Sequence, residues 1–148
     1  MEAVFTYGTL EISEVMQVVT GRRFASYEAS ATGFDCFMIQ HRIYPGMTPS
    51  PGKSTEGRVY LEVDFCSLQL LDHFEDEVYT RELVEVKMHS GESNMVVYAY
   101  VIPLACQGIL SDETWDRQHF IDRHLHSYLE ACRNFHQRLS GQIQNSTD

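Results

Sequence analysis

Val4-Phe5-Thr6-Tyr7-Gly8-Thr9-Leu10, followed by Glu11 to Thr20 and then Gly21, reads as strand, tight turn and helix in immediate succession. Val4 and Phe5 supply the apolar, β-favouring residues of a short strand from Met1 to Tyr7. Gly8 breaks it. Ile12, Val15, Met16 and Val19 then recur at helical spacing, and Gly21 stands where a C-capping glycine belongs. A glycine between strand and helix lets the backbone turn sharply and leaves N–H groups pointing at one spot, which suits a carboxylate or a phosphate. The turn is too short and too poor in glycine to be a P-loop or a dinucleotide fingerprint, so alone it reads as readily as a plain connection.

Outward from that unit, Phe24 to Ile43 predicts one or two strands bent at Gly33, with Phe34, Phe37 and Ile39 buried. Tyr44-Pro45-Gly46 and Pro49-Ser50-Pro51-Gly52 predict a loop, because proline fixes φ and glycine permits positive φ. Gly57 to Val63 alternates as a strand, and Ser67 to Asp76 is a short helix with Leu68, Leu71 and Phe74 near one side. Tyr79 to Met88 and Met95 to Ile102 flank a polar turn and predict a hairpin. Leu110-Ser111-Asp112 offers N-cap candidates for a final helix. On that helix Ile121, Leu125, Tyr128, Cys132, Phe135 and Leu139 form one apolar stripe. The expectation is one domain over residues 1–140, without repeats or linkers, and a polar, flexible tail over 141–148.

Composition narrows the classes. With 43% apolar and 22% charged residues among 148, the chain has the balance of a globular domain and too many aromatics for disorder. Its formal charge of −10 argues against non-specific binding to nucleic acid or anionic membranes, which need an accumulated positive field. No apolar run approaches the ~20 residues that span a bilayer. Cys36, Cys66, Cys106 and Cys132 form no CxxC pair, and no charged-then-apolar leader precedes the first strand, so reduced thiols in a cytoplasmic protein are expected.

Glu75 is the carboxylate that the helical pattern aims inward. At ~100° per residue it projects between Leu68 and Leu71, while Asp72, Asp76 and Glu77 point progressively away. Desolvation, acidic neighbours and the negative end of a helix should each raise its pKa, which suits proton exchange near neutral pH. Spacing by itself favours a plainer role, a buried acid paired with Arg81 or Arg58. Arg81 in turn could bind a substrate carboxylate or hold Glu75. Tyr44 could rim a pocket or simply sit in a turn. His119, His124 and His126 do not converge as metal ligands would, and no local signature supports a Cys36–His41 nucleophile, so no metal site is expected.

Taken in order, Val4 to Leu10, then Tyr44-Pro45-Gly46-Met47, then Gly57-Arg58-Val59-Tyr60, then Leu71-Asp72-His73-Phe74-Glu75-Asp76-Glu77-Val78-Tyr79-Thr80-Arg81 resemble the motifs of the γ-glutamylcyclotransferase-like (AIG2-like) family. The last block is the most specific, and the C-terminal helix with Trp115 near its start is most similar to the plant AIG2-like branch. The resemblance implies an α+β fold, a small mixed β-barrel flanked by helices and carrying a long C-terminal helix. It further implies that Tyr7, Gly8, Thr9, Leu10, Glu11 and Ile12 bind a γ-glutamyl group, that Glu75 is the acid/base residue, and that no cofactor is used. Asp76 departs from the pattern, which commonly has glycine there, and an added acid argues against an anionic leaving part.

The implied reaction closes the substrate's own α-amine onto its γ-carbonyl, giving 5-oxoproline and a free amine or amino acid. Intramolecularity supplies much of the rate, so the protein mainly holds geometry and moves a proton. Two alternatives stand beside it: a module of the same fold that binds a small molecule without turnover, and an enzyme for another acyl-amine substrate.

Overall fold

β1 (Glu2–Thr6) lies between β3 and β5 in a closed five-stranded barrel of order β1-β3-β2-β4-β5, where β2 is Ser26–Met38, β3 Pro45–Val63, β4 Thr80–Met88 and β5 Asn94–Val101. This computed structural model describes residues 1–91 and 93–147, the last five by backbone alone. All pairings are antiparallel except the closing one, where Val4 and Phe5 of β1 meet Tyr98 and Ala99 of β5 in parallel. Helices α1 (Ser13–Thr20), α2 (Phe65–Phe74), α3 (Arg117–Arg123) and α4 (Leu125–Thr147) flank the barrel. The expected mixed barrel with helices around it is the fold observed.

Alternation along the strands divides the core in two. Phe5, Val59, Val86 and Ala99 fill the barrel. Their neighbours Val4 and Tyr60 face outward against Val15, Met16 and Val19 of α1, Leu68 and Leu71 of α2, and Leu129 and Cys132 of α4. β1 passes so close to β3 that a Cβ on Gly57 would lie 2.1 Å from the Thr6 carbonyl oxygen, which excludes any side chain there.

Two sequence expectations are corrected. Residues 45–52 are not a loop but the first half of β3, a strand of 19 residues. The Pro/Gly punctuation marks a bulge rather than a chain reversal: Thr32 faces Ser54 and Phe34 faces Pro49, so Ser50 to Lys53 oppose Gly33 alone. Gly33 (φ 82°) and Gly52 (φ 84°) absorb the extra residues, and Pro51 sits where the ladder asks for no N–H. The reversal falls instead between Met38 and Pro45, with His41 left-handed at φ 64°. The last helix starts later than expected, at Asp116, whose side chain caps the His119 N–H at 3.1 Å. It breaks at His124 (φ −126°, ψ −21°), which rephases the stripe so that Phe120 rather than Ile121 is buried. Side chains of the tail expected over 141–148 lie, from residue 143 on, outside the described residues.

Candidate active site

The turn after β1 is a single 3-10 turn, Thr9–Glu11, feeding directly into α1. Glu11 is the first residue whose N–H bonds back, to the Gly8 carbonyl at 3.0 Å, which leaves the N–H groups of Gly8, Thr9 and Leu10 without an acceptor in the turn. Glycine fits position 8 closely, since a Cβ there would press on Pro45 Cδ at 3.0 Å and force the ring to give way. The Tyr60 hydroxyl holds the Leu10 carbonyl at 2.8 Å and pins the turn to the barrel wall.

On the other side, Asp64 caps α2 by accepting from the Ser67 N–H at 3.1 Å, and the helix ends at Phe74. Glu75 is therefore the C-capping residue (φ −66°, ψ 140°) rather than a helical one, its N–H still bonded to Leu71 O. Its side chain turns inward, as the helical projection requires, into a cavity of about 210 Å³. Tyr7 to Leu10, Tyr44 and Pro45, Phe74 to Asp76, and Tyr79, Tyr100 and Tyr128 form most of the wall.

Burial, and then the nearby Asp76 charge, push the Glu75 carboxyl up to about 8. Among the described residues it has no hydrogen-bond or ion-pair partner, and the two candidate arginines are engaged elsewhere. Arg81 Nε lies 3.2 Å from Asp72 Oδ1, with its guanidinium 4.6 Å over the Tyr98 ring. Arg58 bonds Ser26 Oγ at 3.0 Å and lies 3.9 Å from Glu28. Pairing with an arginine does not explain the inward-facing acid.

Asp76 is ionised beside it. Burial acts to raise its carboxyl, but hydrogen bonds from the Tyr44 hydroxyl (2.5 Å), Arg42 Nε (3.0 Å) and the Val78 N–H (3.3 Å) outweigh this and hold it below the ordinary value. Desolvation keeps the wall tyrosines in their phenol form, Tyr44 at about 12 and Tyr7, Tyr79, Tyr100 and Tyr128 also raised.

Tyr7, Gly8, Thr9, Leu10, Tyr44 and Glu75 thus meet around one cavity, although up to 68 positions apart in sequence. Three expected residues do not join them. Glu11 turns toward Arg117 at 3.4 Å in a groove across Tyr7. Ile12 packs into the layer between barrel and helices, and Arg81 sits outside the cavity wall with Asp72. Sequence reading missed Phe74, Tyr79, Tyr100 and Tyr128 as wall residues. Tyr79 lay within the specific Leu71–Arg81 block; Tyr100 and Tyr128 looked like ordinary strand and helix-stripe positions.

A closed mixed barrel with a lone raised acid at its tyrosine-walled mouth defines a small α+β domain of the γ-glutamylcyclotransferase-like fold. Residues 4–117 match the family described as gamma-glutamyl cyclotransferase, AIG2-like, and the chain belongs to that family. It is 28% identical over 141 residues to AIG2-like protein D of Arabidopsis thaliana, covering 95% of this chain and 92% of that protein. A solution structure of an Arabidopsis thaliana protein superposes with TM-score 0.68 at 24% identity, over 88% of this chain and 87% of that one. A yeast structure described as a γ-glutamyl cyclotransferase specific to glutathione superposes with TM-score 0.61 at 14% identity, over 93% and 96%. At such identities the structures speak for the fold. Among the described residues, no helix is long and apolar enough to cross a membrane.

Proposed function

We propose that this chain is a γ-glutamyl cyclotransferase-type enzyme that releases 5-oxoproline and an amine or amino acid from a γ-glutamyl amide, with Glu75 as general acid and base. The observation that carries the reading is Glu75 itself, a carboxyl raised to about 8, without a partner among the described residues, facing the Tyr7–Leu10 turn across a small cavity. A structural acid would be paired; one tuned close to working pH is suited to take and return a proton.

Ionised Glu75 accepts a proton from the substrate's α-ammonium, and the freed amine attacks the γ-carbonyl. A C–N bond forms in the five-membered ring as the original amide C–N bond breaks. Glu75 returns its proton to the departing nitrogen, which also takes the second proton shed by the attacking nitrogen and leaves as an ammonium ion, so the ring keeps a neutral lactam N–H. The atoms balance without a co-reactant. The N–H groups of Gly8, Thr9 and Leu10 are the donors suited to the substrate carboxylate or to the carbonyl oxygen as charge develops. At 210 Å³ the cavity is below the ~300–1,000 Å³ of sites that enclose drug-sized ligands, so it fits the acyl group, with the leaving amine toward the mouth. Four free cysteines fit a reducing, cytoplasmic setting.

A panel of γ-glutamyl amines, γ-glutamyl amino acids and glutathione, assayed for 5-oxoproline, tests the proposal. Binding of 5-oxoproline with no member of the panel consumed would favour a non-catalytic binding module instead.

A further inference from the structure

Five tyrosines reach the cavity wall, and four of them already use their hydroxyl proton. Tyr7 donates to the Tyr100 carbonyl at 2.6 Å, Tyr44 to the Asp76 carboxylate at 2.5 Å, Tyr79 to the Pro45 carbonyl at 2.5 Å and Tyr100 to the Asp72 carboxylate at 2.6 Å. Tyr128 differs. Its hydroxyl lies 3.1 Å from Thr9 Oγ1, and either atom can be the donor. Two hydroxyls that share one hydrogen bond bring two protons and use one. Whichever way the pair is oriented, one O–H remains without an acceptor among the described residues. It does so at the cavity wall, where Thr9 is only 7% exposed.

The rest of the wall offers an anionic ligand little else from side chains. Among the described residues it contains no lysine, arginine or histidine, and it does contain the carboxyls of Glu75 and Asp76. A buried hydroxyl left with an unused proton is costly, whereas its hydrogen bond to a charged oxygen is among the stronger neutral–ion contacts. The tyrosine is also held in place for this. Its ring meets Phe74 edge-on at 6.1 Å and Phe120 at 5.2 Å, and Leu129 and Cys132 bury the same helix against the barrel.

We propose that the Thr9–Tyr128 hydroxyl pair is a ligand-recognising donor of this site, giving its spare O–H to the carboxylate of the bound acyl group. The identity of that group rests on the γ-glutamyl reading above. Tyr128 lies on α4, beyond the residues 4–117 that match the family, so α4 contributes to ligand recognition as well as to packing.

The test is a two-by-two series of Thr9→Val and Tyr128→Phe, each close in shape to the native residue. Affinity for 5-oxoproline and for 2-pyrrolidinone, the same ring without the carboxylate, is measured by calorimetry, with Tm as a fold control. Each single variant keeps one hydroxyl and should lose no more than about threefold, while the double variant should fall a further ~10- to 100-fold, the scale of a hydrogen bond to a charged group. Affinity for 2-pyrrolidinone should stay level across the series. Thr9→Ser with Tyr128→Phe should restore the single-variant affinity. If the Thr9→Val double fails to fold, Thr9→Ala with Tyr128→Phe takes its place.

A double variant no weaker than either single, as for a purely structural bond broken once, overturns the proposal. So does an equal loss for 2-pyrrolidinone, or a wild-type chain that does not bind 5-oxoproline. If the wild type binds 5-oxoproline but consumes no γ-glutamyl compound, the cyclotransferase reading fails and the donor pair is still judged on the same series.

Discussion

The Tyr44 hydroxyl donates to Asp76 at 2.5 Å, on the same carboxylate oxygen that accepts from Arg42 Nε at 3.0 Å. This one oxygen ties the chain reversal before β3 to the link after α2, and so fixes the segment that carries Glu75. Arg42 also offsets the charge of Asp76. That offsets, without cancelling, the added acid that the sequence set against an anionic leaving part, since the Asp76 charge still raises Glu75.

Breaking the clamp should loosen the mouth before it loosens the fold. Tyr44→Phe and Asp76→Asn should each raise KM for γ-glutamyl substrates several-fold. Their double variant should cost clearly less than the product of the two, as expected for partners in one network. Independent, multiplicative effects in steady-state kinetics would show that the contact does not shape the site.

Glu75→Gln keeps the shape and removes the titrating proton. Release of 5-oxoproline should fall by about 10²- to 10⁴-fold, the usual scale for a general acid/base residue. Affinity for 5-oxoproline should change far less. Turnover within tenfold of wild type would take Glu75 out of the mechanism.

The pH dependence follows from the same group. With its carboxyl at about 8, Glu75 is mostly protonated in the free protein at neutral pH, so kcat/KM should climb through an ascending limb near pH 8. Asp76 raises that value, so Asp76→Asn should move the limb to lower pH. A limb that stays in place would mean that another group sets it.

Stability should carry the opposite signature. The folded value of about 8 lies above the ordinary 4.5, so between those limits the folded chain holds a proton that the unfolded chain releases. Stability is then lost as pH rises through that window, by up to ~1.4 kcal/mol per pH unit. Relative to wild type, Glu75→Gln should therefore gain in Tm from about pH 5 to pH 8 and level off above. Parallel Tm–pH curves for the two proteins would contradict this.

Arg81→Ala separates support from binding. Loss of the Asp72 pair and of the stacking on Tyr98, both partly solvated, should cost roughly 1–2 kcal/mol. Because Arg81 lies outside the cavity wall, KM should stay within about threefold; a tenfold rise at unchanged Tm would return it to the substrate.

Sequence by itself determined the strand–turn–helix unit from Val4 to Gly21 and the inward aim of Glu75, because both depend on contacts within a few residues: a glycine break, a left-handed cap at Gly21 and the 3.6-residue period. It also carried the ordered motifs that pointed to the family. Only the tertiary structure decided which side chains meet. Proline and glycine at 49–52 look the same locally in a loop and in a bulge, and pairing with β2 alone makes them a bulge. Likewise Arg81 chose Asp72 over Glu75, Arg42 arrived to pair with Asp76, and Tyr128 came from 119 residues away to share a hydrogen bond with Thr9. Such partners are set by barrel closure and helix docking, which a periodicity along the chain does not encode.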